Sequence, residues 1–369
     1  MVRQKSAKQK YYNLSEIQKT NSQYNFILGE RSNGKSFAIK KHCLERAIKN
    51  NDYEKFFLLR RYSDDIKKEY VISYFGDKNL NIEKLTNGRF NSIITKSGKI
   101  QLVLIDENNK ISSDFLTVGY VRSINQAERY KSNTYEDVSN VIFEEFVATG
   151  LYLTNEIDKF LSIISTIARR DEIRVYLIGN TISRNCIYFQ YFNLKNVPKQ
   201  KQGTIDIYTF KSCDQRNENN ELIEYRIAVE LCANLSQNTK MYFGESSQKA
   251  ITSGAWCSDD YPRIKVDEEC KLIHTIIFEY GFSMFKADCY IKNDFIFWKI
   301  SPKNTEIKRN TRLITDKFSK QGRLISYKLE SLTIKENKLL SLFNSKKVFY
   351  SDNLTGTEFN QALNYFKRL

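Results

Sequence analysis

The apolar residues of this chain come in two textures, continuous runs and, between Asn91 and Val121, short alternating segments. Tyr24 to Gly29 reads YNFILG, an apolar run closed by glycine, which predicts a buried strand. From Ser36 to Lys49, Phe37, Ile39, Leu44 and Ile48 recur among basic residues in a pattern that suits a helix. Phe56 to Tyr62 (FFLLRRY) predicts a second strand, and Asp64 to Phe75 a helix opened by paired acids at its positive end. Strand, helix, strand, helix in this order argues for an α/β domain with a mostly parallel sheet.

Between Asn91 and Val121 short alternating segments are broken by SGK and ENNK, which predicts a hairpin or meander inserted at the sheet edge. Continuous runs return at Val138 to Glu145 (VSNVIFEE) and Arg174 to Asn180 (RVYLIGN), with a helical pattern from Asn155 to Arg170 between them. After Leu194, the basic stretch KNVPKQKQG reads as the exit from the first domain. A mixed region from Thr204 to about Ala255 precedes a β-rich segment, and helical stretches follow at Lys335 to Phe343 and Thr357 to Leu369. The expected divisions are a nucleotide-binding domain over 1–200, a linker or lid over 201–255, and a β-rich α+β domain over 256–369.

A length of 369 residues is enough for two cores, and 41% hydrophobic residues with only 3 prolines describe an ordered protein. A net charge of +15 attracts polyanions, nucleic acid first, although a Lys-rich protein of ordinary function has the same balance. Cys43, Cys186, Cys213, Cys232, Cys257, Cys270 and Cys289 form no CxxC pair, and His42 and His274 are the only histidines. Neither a zinc site nor a disulfide framework fits. No signal peptide or membrane span is visible, so the expectation is a soluble, reduced, intracellular protein without a membrane partner.

Gly29-Glu30-Arg31-Ser32-Asn33-Gly34-Lys35-Ser36 matches GxxxxGK[ST] in full, directly after a predicted strand and directly before a predicted helix. Backbone N–H groups in such a loop wrap phosphates, and the helix adds its positive end. Lys35 is expected to reach the β and γ phosphates of ATP, and the Ser36 hydroxyl to ligate Mg²⁺.

Such a site also needs an acid on a neighbouring strand to hold Mg²⁺ and a carboxylate to activate water. Leu102 to Glu107 (LVLIDE) offers Asp106-Glu107, but ENNK follows, as at a hairpin tip. Val141 to Glu145 (VIFEE) is followed by a helix and another strand, the succession of a parallel core. The expectation is therefore Glu144 on Mg²⁺ and Glu145 as general base. Asn180, ending the next strand, could sense the γ-phosphate or position water, and could equally be a plain cap. Arg169 and Arg170 end a helix, where they favour its negative end or could complete a neighbouring subunit's site.

These residues resemble the DNA packaging ATPases of phi29-type phages, small relatives of the large terminase subunits. YNFILGERSNGKS, FFLLRRY, Lys131-Ser132-Asn133 with Tyr135, Val138-Ser139 leading into VIFEEF, and LIGN with the later YFQYFNL carry the resemblance. It implies an additional-strand ATPase (ASCE, RecA-like) that forms a homopentameric ring at the portal vertex of an empty capsid. Double-stranded DNA, the portal or connector protein and a packaging RNA are the implied partners. The implied place is the host cytoplasm and, transiently, the procapsid, but not the mature virion.

Carried over by position, Gly29, Arg31, Gly34, Lys35 and Ser36 match the family's phosphate loop, and Glu144 and Glu145 its acidic pair. Lys131 matches a basic residue that faces the neighbouring site, and Arg169 and Arg170 fall near the family's trans-acting finger, although the register puts Ala168 at that position. Glu144 also departs from the usual Asp. The C-terminal region of such motors resembles a ribonuclease H fold without its nuclease acids. Here Glu279, Asp288 and Asp294 make no clear two-metal cluster, and no nuclease activity is expected. Lys303, Lys308, Arg309, Arg312, Lys317, Lys320 and Arg323 form a basic stretch that suits phosphate backbones or a solvated surface. The rival functions are a helicase or replication-type ATPase, and a nucleotide-dependent binding protein with little turnover. No NKxD motif points to a GTPase.

Overall fold

The computed structural model describes residues 11–30, 33–76, 79–130, 134–148, 152–168, 173–181, 183–216, 220–233, 260–308, 310–320, 322–329, 332–345 and 347–367. The chain divides into two compact units. Met1–Phe146, Leu153–Asn180 and Gln200–Gln237 make the first, while Val147–Tyr152, Thr181–Lys199 and Asn238–Leu369 make the second.

In the first unit, α1 (Ser15–Lys19), β1 (Tyr24–Gly29), α2 (Lys35–Lys49), β2 (Lys55–Arg60), α3 (Lys68–Phe75) and α4 (Ile82–Leu85) come first. They are followed by β3 (Ser92–Lys96), β4 (Lys99–Ile105), β5 (Ile111–Ser123), β6 (Val138–Glu144), α5 (Glu156–Ile167) and β7 (Arg174–Asn180). The helix expected over 64–75 is split, because Lys67 takes an extended ψ of 151° between a 3-10 turn at Ser63–Ile66 and α3. β3, β4 and the start of β5 form the antiparallel meander at the sheet edge that the alternating pattern predicts.

Two more strands, β8 (Thr204–Arg216) and β9 (Leu222–Leu231), complete a nine-stranded sheet of order β3-β4-β5-β2-β6-β7-β1-β9-β8. This corrects the linker expected over 201–255, since β9 pairs in parallel with β1 and buries Ile227, Ala228, Val229 and Leu231. Residues 181–199 likewise go with the second unit rather than with 1–200, and 234–259 lie outside the described residues. The central strands β5, β2, β6, β7, β1 and β9 run parallel. Being covered on both faces, β1 and β6 read as continuous apolar runs. The strand β7 lies between the phosphate-loop strand and the acid strand, so the fold is an α/β domain of the additional-strand kind.

The second unit contains α6 (Ile187–Tyr191) and a six-stranded sheet. β10 (Lys271–Tyr280), β11 (Ser283–Lys292) and β12 (Phe295–Pro302) form an antiparallel meander. Beyond β10, β13 (Arg312–Thr315) and β14 (Ile325–Ser326) add in parallel. The order is therefore an antiparallel meander extended by two parallel strands on one side, with β15 (Val348–Tyr350) added in parallel beside β12 on the other. Among the described residues, the helices that follow are α7 (Ile334–Leu340), opened by a Thr333–Glu336 capping box, and α8 (Asn353–Phe366). Phe359 of α8 packs on Phe278 of β10 with ring centroids 5.0 Å apart, in the core around Trp298. Among the described residues no helix is long and apolar enough to cross a membrane.

Candidate active site

The loop between β1 and α2 needs glycine at both ends. A Cβ on Gly29 would come within 2.9 Å of Cys232 Cβ, and Gly34 has φ +91°, a region open mainly to glycine. Lys35 is the first residue of α2 and is buried, with Nζ donating to Glu30 O (2.7 Å) and Asn180 Oδ1 (3.0 Å). Asn33 Oδ1 accepts from the Lys35 backbone N–H at 3.1 Å. Ser36 Oγ donates to Glu144 Oε2 at 3.2 Å, which brings the loop and the acid strand together. Asn33, Lys35, Ser36, Glu144, Glu145 and Asn180 share the lining of one cleft of about 1030 Å³ at the carboxyl ends of parallel strands. Ligands of open α/β sheets bind at such strand ends.

Glu144 is buried at the end of β6. Burial pushes its carboxyl above the usual carboxylate range, against the hydrogen bonds from Tyr74 and Ser36. Glu145 follows with φ +57°, a left-handed conformation that costs a non-glycine residue about 1–2 kcal/mol. Its side chain is two-thirds exposed and pairs with Arg60 Nη2 at 3.1 Å.

Arg61 holds that backbone in place. Its Nη1 donates to Glu145 O (2.9 Å), its Nη2 to Phe146 O (2.6 Å), and its Nε to both carboxylate oxygens of Glu156 (3.1 and 3.0 Å). In the sequence Arg60 and Arg61 read only as the end of a predicted strand, FFLLRRY. The visible signal was two charges directly after the buried FFLL, at the end of a strand next to the acid strand. Tyr74 gave no comparable signal.

The rival acids stand elsewhere. Asp106 Oδ1 accepts from the N–H groups of Asn108 (2.9 Å) and Lys110 (2.8 Å), so Asp106 and Glu107 form an exposed hairpin tip on β4, with β5 and β2 between β4 and β6. Arg31, Ser32, Lys131, Arg169 and Arg170 lie outside the described residues.

Residues before α1 also reach the phosphate loop. Tyr12 N–H donates to Asn33 O (2.9 Å), and Tyr12 Oη donates to Glu230 Oε2 on β9 (2.7 Å). Burial raises the Glu230 carboxyl from 4.5 to about 7, while the Tyr12 hydrogen bond pulls the other way. An acid raised in the folded state contributes stability that is present below pH 4.5 and lost as pH rises through about 7. Glu230→Gln should remove this slope, worth on the order of 1–3 kcal/mol, and make the variant relatively more stable at pH 8 than at pH 5. Parallel melting curves of variant and parent at both pH values would rule the effect out.

In the second unit, Glu279 of β10 is buried and accepts from Lys317 Nζ (2.6 Å), Lys320 Nζ (2.7 Å) and Thr315 Oγ1 (2.8 Å). Asp288 pairs with Lys286 at 2.6 Å, and Asp294 occupies a turn with φ +64°. Among the described residues no three His, Cys, Asp or Glu side chains gather as a metal site. The basic stretch is partly committed to these acids, because Lys317 and Lys320 serve Glu279 and Arg312 forms a two-pronged pair with Glu336 (3.0 and 3.2 Å). Lys308 and Arg323 are exposed, and Arg309 lies outside the described residues.

Comparisons with known proteins give the same direction as the motifs. The DNA packaging protein of Bacillus phage B103 is 31% identical over 174 residues, which cover 46% of this chain and 48% of that protein. The DNA packaging protein of Bacillus phage phi29 is 28% identical over 188 residues, 50% of each chain. The chain spans about half the length of the curated relatives it matches. A solved structure of the bacteriophage phi29 viral genome packaging motor assembly shares the fold, with a TM-score of 0.52 and 19% identity over 97% of this chain and 100% of that one. The family model described as Podovirus DNA encapsidation protein (Gp16) matches residues 6–210, more than half of the sequence, and the chain belongs to that family.

Proposed function

We propose that this chain is an ATP-hydrolysing motor that drives double-stranded DNA into a preformed phage capsid. The observation that carries the reading is the convergence of Lys35, Ser36, Glu144 and Asn180 in one cleft behind a GxxxxGK[ST] loop, in a chain of the encapsidation family.

Backbone N–H groups from Gly29 to Ser36 cradle the phosphates of ATP, and the N-terminus of α2 adds positive potential. Lys35 exchanges its bonds to Glu30 O and Asn180 for phosphate oxygens. Ser36 Oγ and Glu144 Oε2 are two hard oxygen donors 3.2 Å apart, a set that suits Mg²⁺, directly or through water. Bound there, Mg²⁺ would neutralise charge on the β and γ phosphate oxygens. Glu145 accepts the proton of the attacking water, which requires release of its Arg60 pair, and Asn180 orients water or reads the γ-phosphate.

Lys131, Arg169 and Arg170 complete the site of a neighbouring copy, in a homopentameric ring at the portal vertex with the portal or connector protein and a packaging RNA. DNA is gripped through its phosphate backbone, since a packaging motor must hold every sequence equally. The second unit serves nucleic-acid and portal contacts without cutting. Two lysine ammonium groups sit on Glu279, where a two-metal nuclease needs free carboxylates.

The test is packaging itself. Purified empty capsids bearing their portal should protect linear duplex DNA from added nuclease only when this protein, ATP and Mg²⁺ are all present, and Lys35→Ala should abolish protection. Protection without ATP, or its complete absence with every component supplied, contradicts the motor.

A further inference from the structure

Glu144 is held at both oxygens, by side chains from two different helices. Ser36 Oγ of α2 donates to Oε2 at 3.2 Å, and Tyr74 Oη of α3 donates to Oε1 at 2.7 Å. The backbone carbonyl of Tyr74 in turn accepts from Lys40 Nζ at 2.6 Å, and that ammonium lies 5.0 Å from the centroid of the Tyr74 ring. Ser36 and Lys40 are four residues apart on α2, one turn along the same helix face. The contacts close a circuit, from Ser36 to Glu144, Tyr74, Lys40 and back along α2.

Glutamate carries one more rotatable bond than aspartate, and fixing that bond costs conformational entropy. A carboxylate meant to meet a divalent cation at one oxygen therefore gains from a second restraint on the other. The phenol hydroxyl takes Oε1 and leaves Oε2 toward Ser36. The anchor is firm, because Val71 and Phe75 of α3 are buried and the Phe75 ring lies 5.7 Å from that of Phe56 on β2.

We infer that Tyr74 is a positioning residue for the metal-site carboxylate, holding the extra bond of Glu144 so that Oε2 meets the cation beside Ser36. This rests on the nucleotide and Mg²⁺ reading above. Tyr74 is not among the residues that line the cleft, so its removal should weaken metal binding without weakening metal-free nucleotide binding.

The experiment uses the full chain with a non-hydrolysable ATP analogue, and Mn²⁺ followed by electron paramagnetic resonance. Loss of a hydrogen bond to a charged group should raise the Mn²⁺ concentration for half-saturation about tenfold in Tyr74→Phe. A fluorescent nucleotide measured in chelator should bind both proteins alike. In a Glu144→Asp background the shorter carboxylate falls short of the phenol, and Tyr74→Phe should then change the Mn²⁺ midpoint by less than about twofold. A midpoint unmoved in the Glu144 chain, or moved by the same factor in both backgrounds, overturns the positioning role. If the unaltered chain binds neither nucleotide nor Mn²⁺, the underlying reading of the cleft falls, and the inference with it.

Discussion

Glu145→Gln should lower steady-state ATP hydrolysis by about a thousandfold and leave nucleotide affinity within about twofold, the size expected for loss of a general base. Glutamine cannot take a proton from water, yet its amide oxygen can still accept from Arg60. The backbone that carries it is held by Arg61 through Glu145 O and does not depend on the carboxylate. The side chain is two-thirds exposed, so the melting temperature should hardly move. Phosphate release and nucleotide titration measure the two halves of the prediction. Glu107→Gln is the control, since that carboxylate is exposed at a hairpin tip and its loss should change neither quantity. Unchanged turnover in Glu145→Gln would remove the assigned base.

The second large effect is on stability. Arg61→Ala should cost about 3–5 kcal/mol in a denaturant unfolding experiment, because it removes the cation from a buried carboxylate that keeps the Leu153 N–H (2.8 Å) as a neutral donor. The Glu156 side chain is 0% exposed and that of Arg61 is 8% exposed, so water cannot replace the lost donors. The carbonyls of Glu145 and Phe146 lose donors in the same step. Arg61→Lys should fail as well, since a single ammonium cannot serve a carboxylate and two carbonyls arranged for a planar fork. Arg61→Met combined with Glu156→Leu removes both charges and should recover stability to within about 1–2 kcal/mol of the parent. Turnover in that double variant should stay low, because the Arg61 hydrogen bonds to Glu145 O and Phe146 O, which hold the left-handed turn, are then gone. An Arg61→Ala protein that unfolds with the parent would show that the pair contributes nothing.

Both predictions concern the same strand end, and they separate its two tasks. The base that the proposed reading needs, Glu145, stands exposed, and Arg61 holds the backbone of that position from a buried one. A similar division holds in the second unit, where lysines that look available for phosphate in the sequence are bound to Glu279. Exposed Lys308 and Arg323 are therefore better candidates for nucleic-acid contact than Lys317 or Lys320.

The phosphate loop was legible in the sequence because everything it needs is local. The end of a buried strand, a short loop and a helix start fall within one eight-residue motif, Gly29 to Ser36, so the pattern is contiguous. That 144 and 145 rather than 106 and 107 would line the cleft was legible too, since the flanking pattern of strand, helix and strand differs from that of a hairpin. The tertiary structure alone decided the contacts that join distant segments. Glu156 meets Arg61 across 95 positions, and Tyr74 meets Glu144 across 70. Residues 204–231, which the sequence presents as part of a mixed linker region, supply the strand on the far side of β1. Alternation reports that a strand has one wet face, and it says nothing about which strand lies beside it. Local patterns record the backbone's preferences, whereas ion pairs, strand neighbours and the partners of a buried carboxylate depend on which surfaces close over one another when the chain collapses.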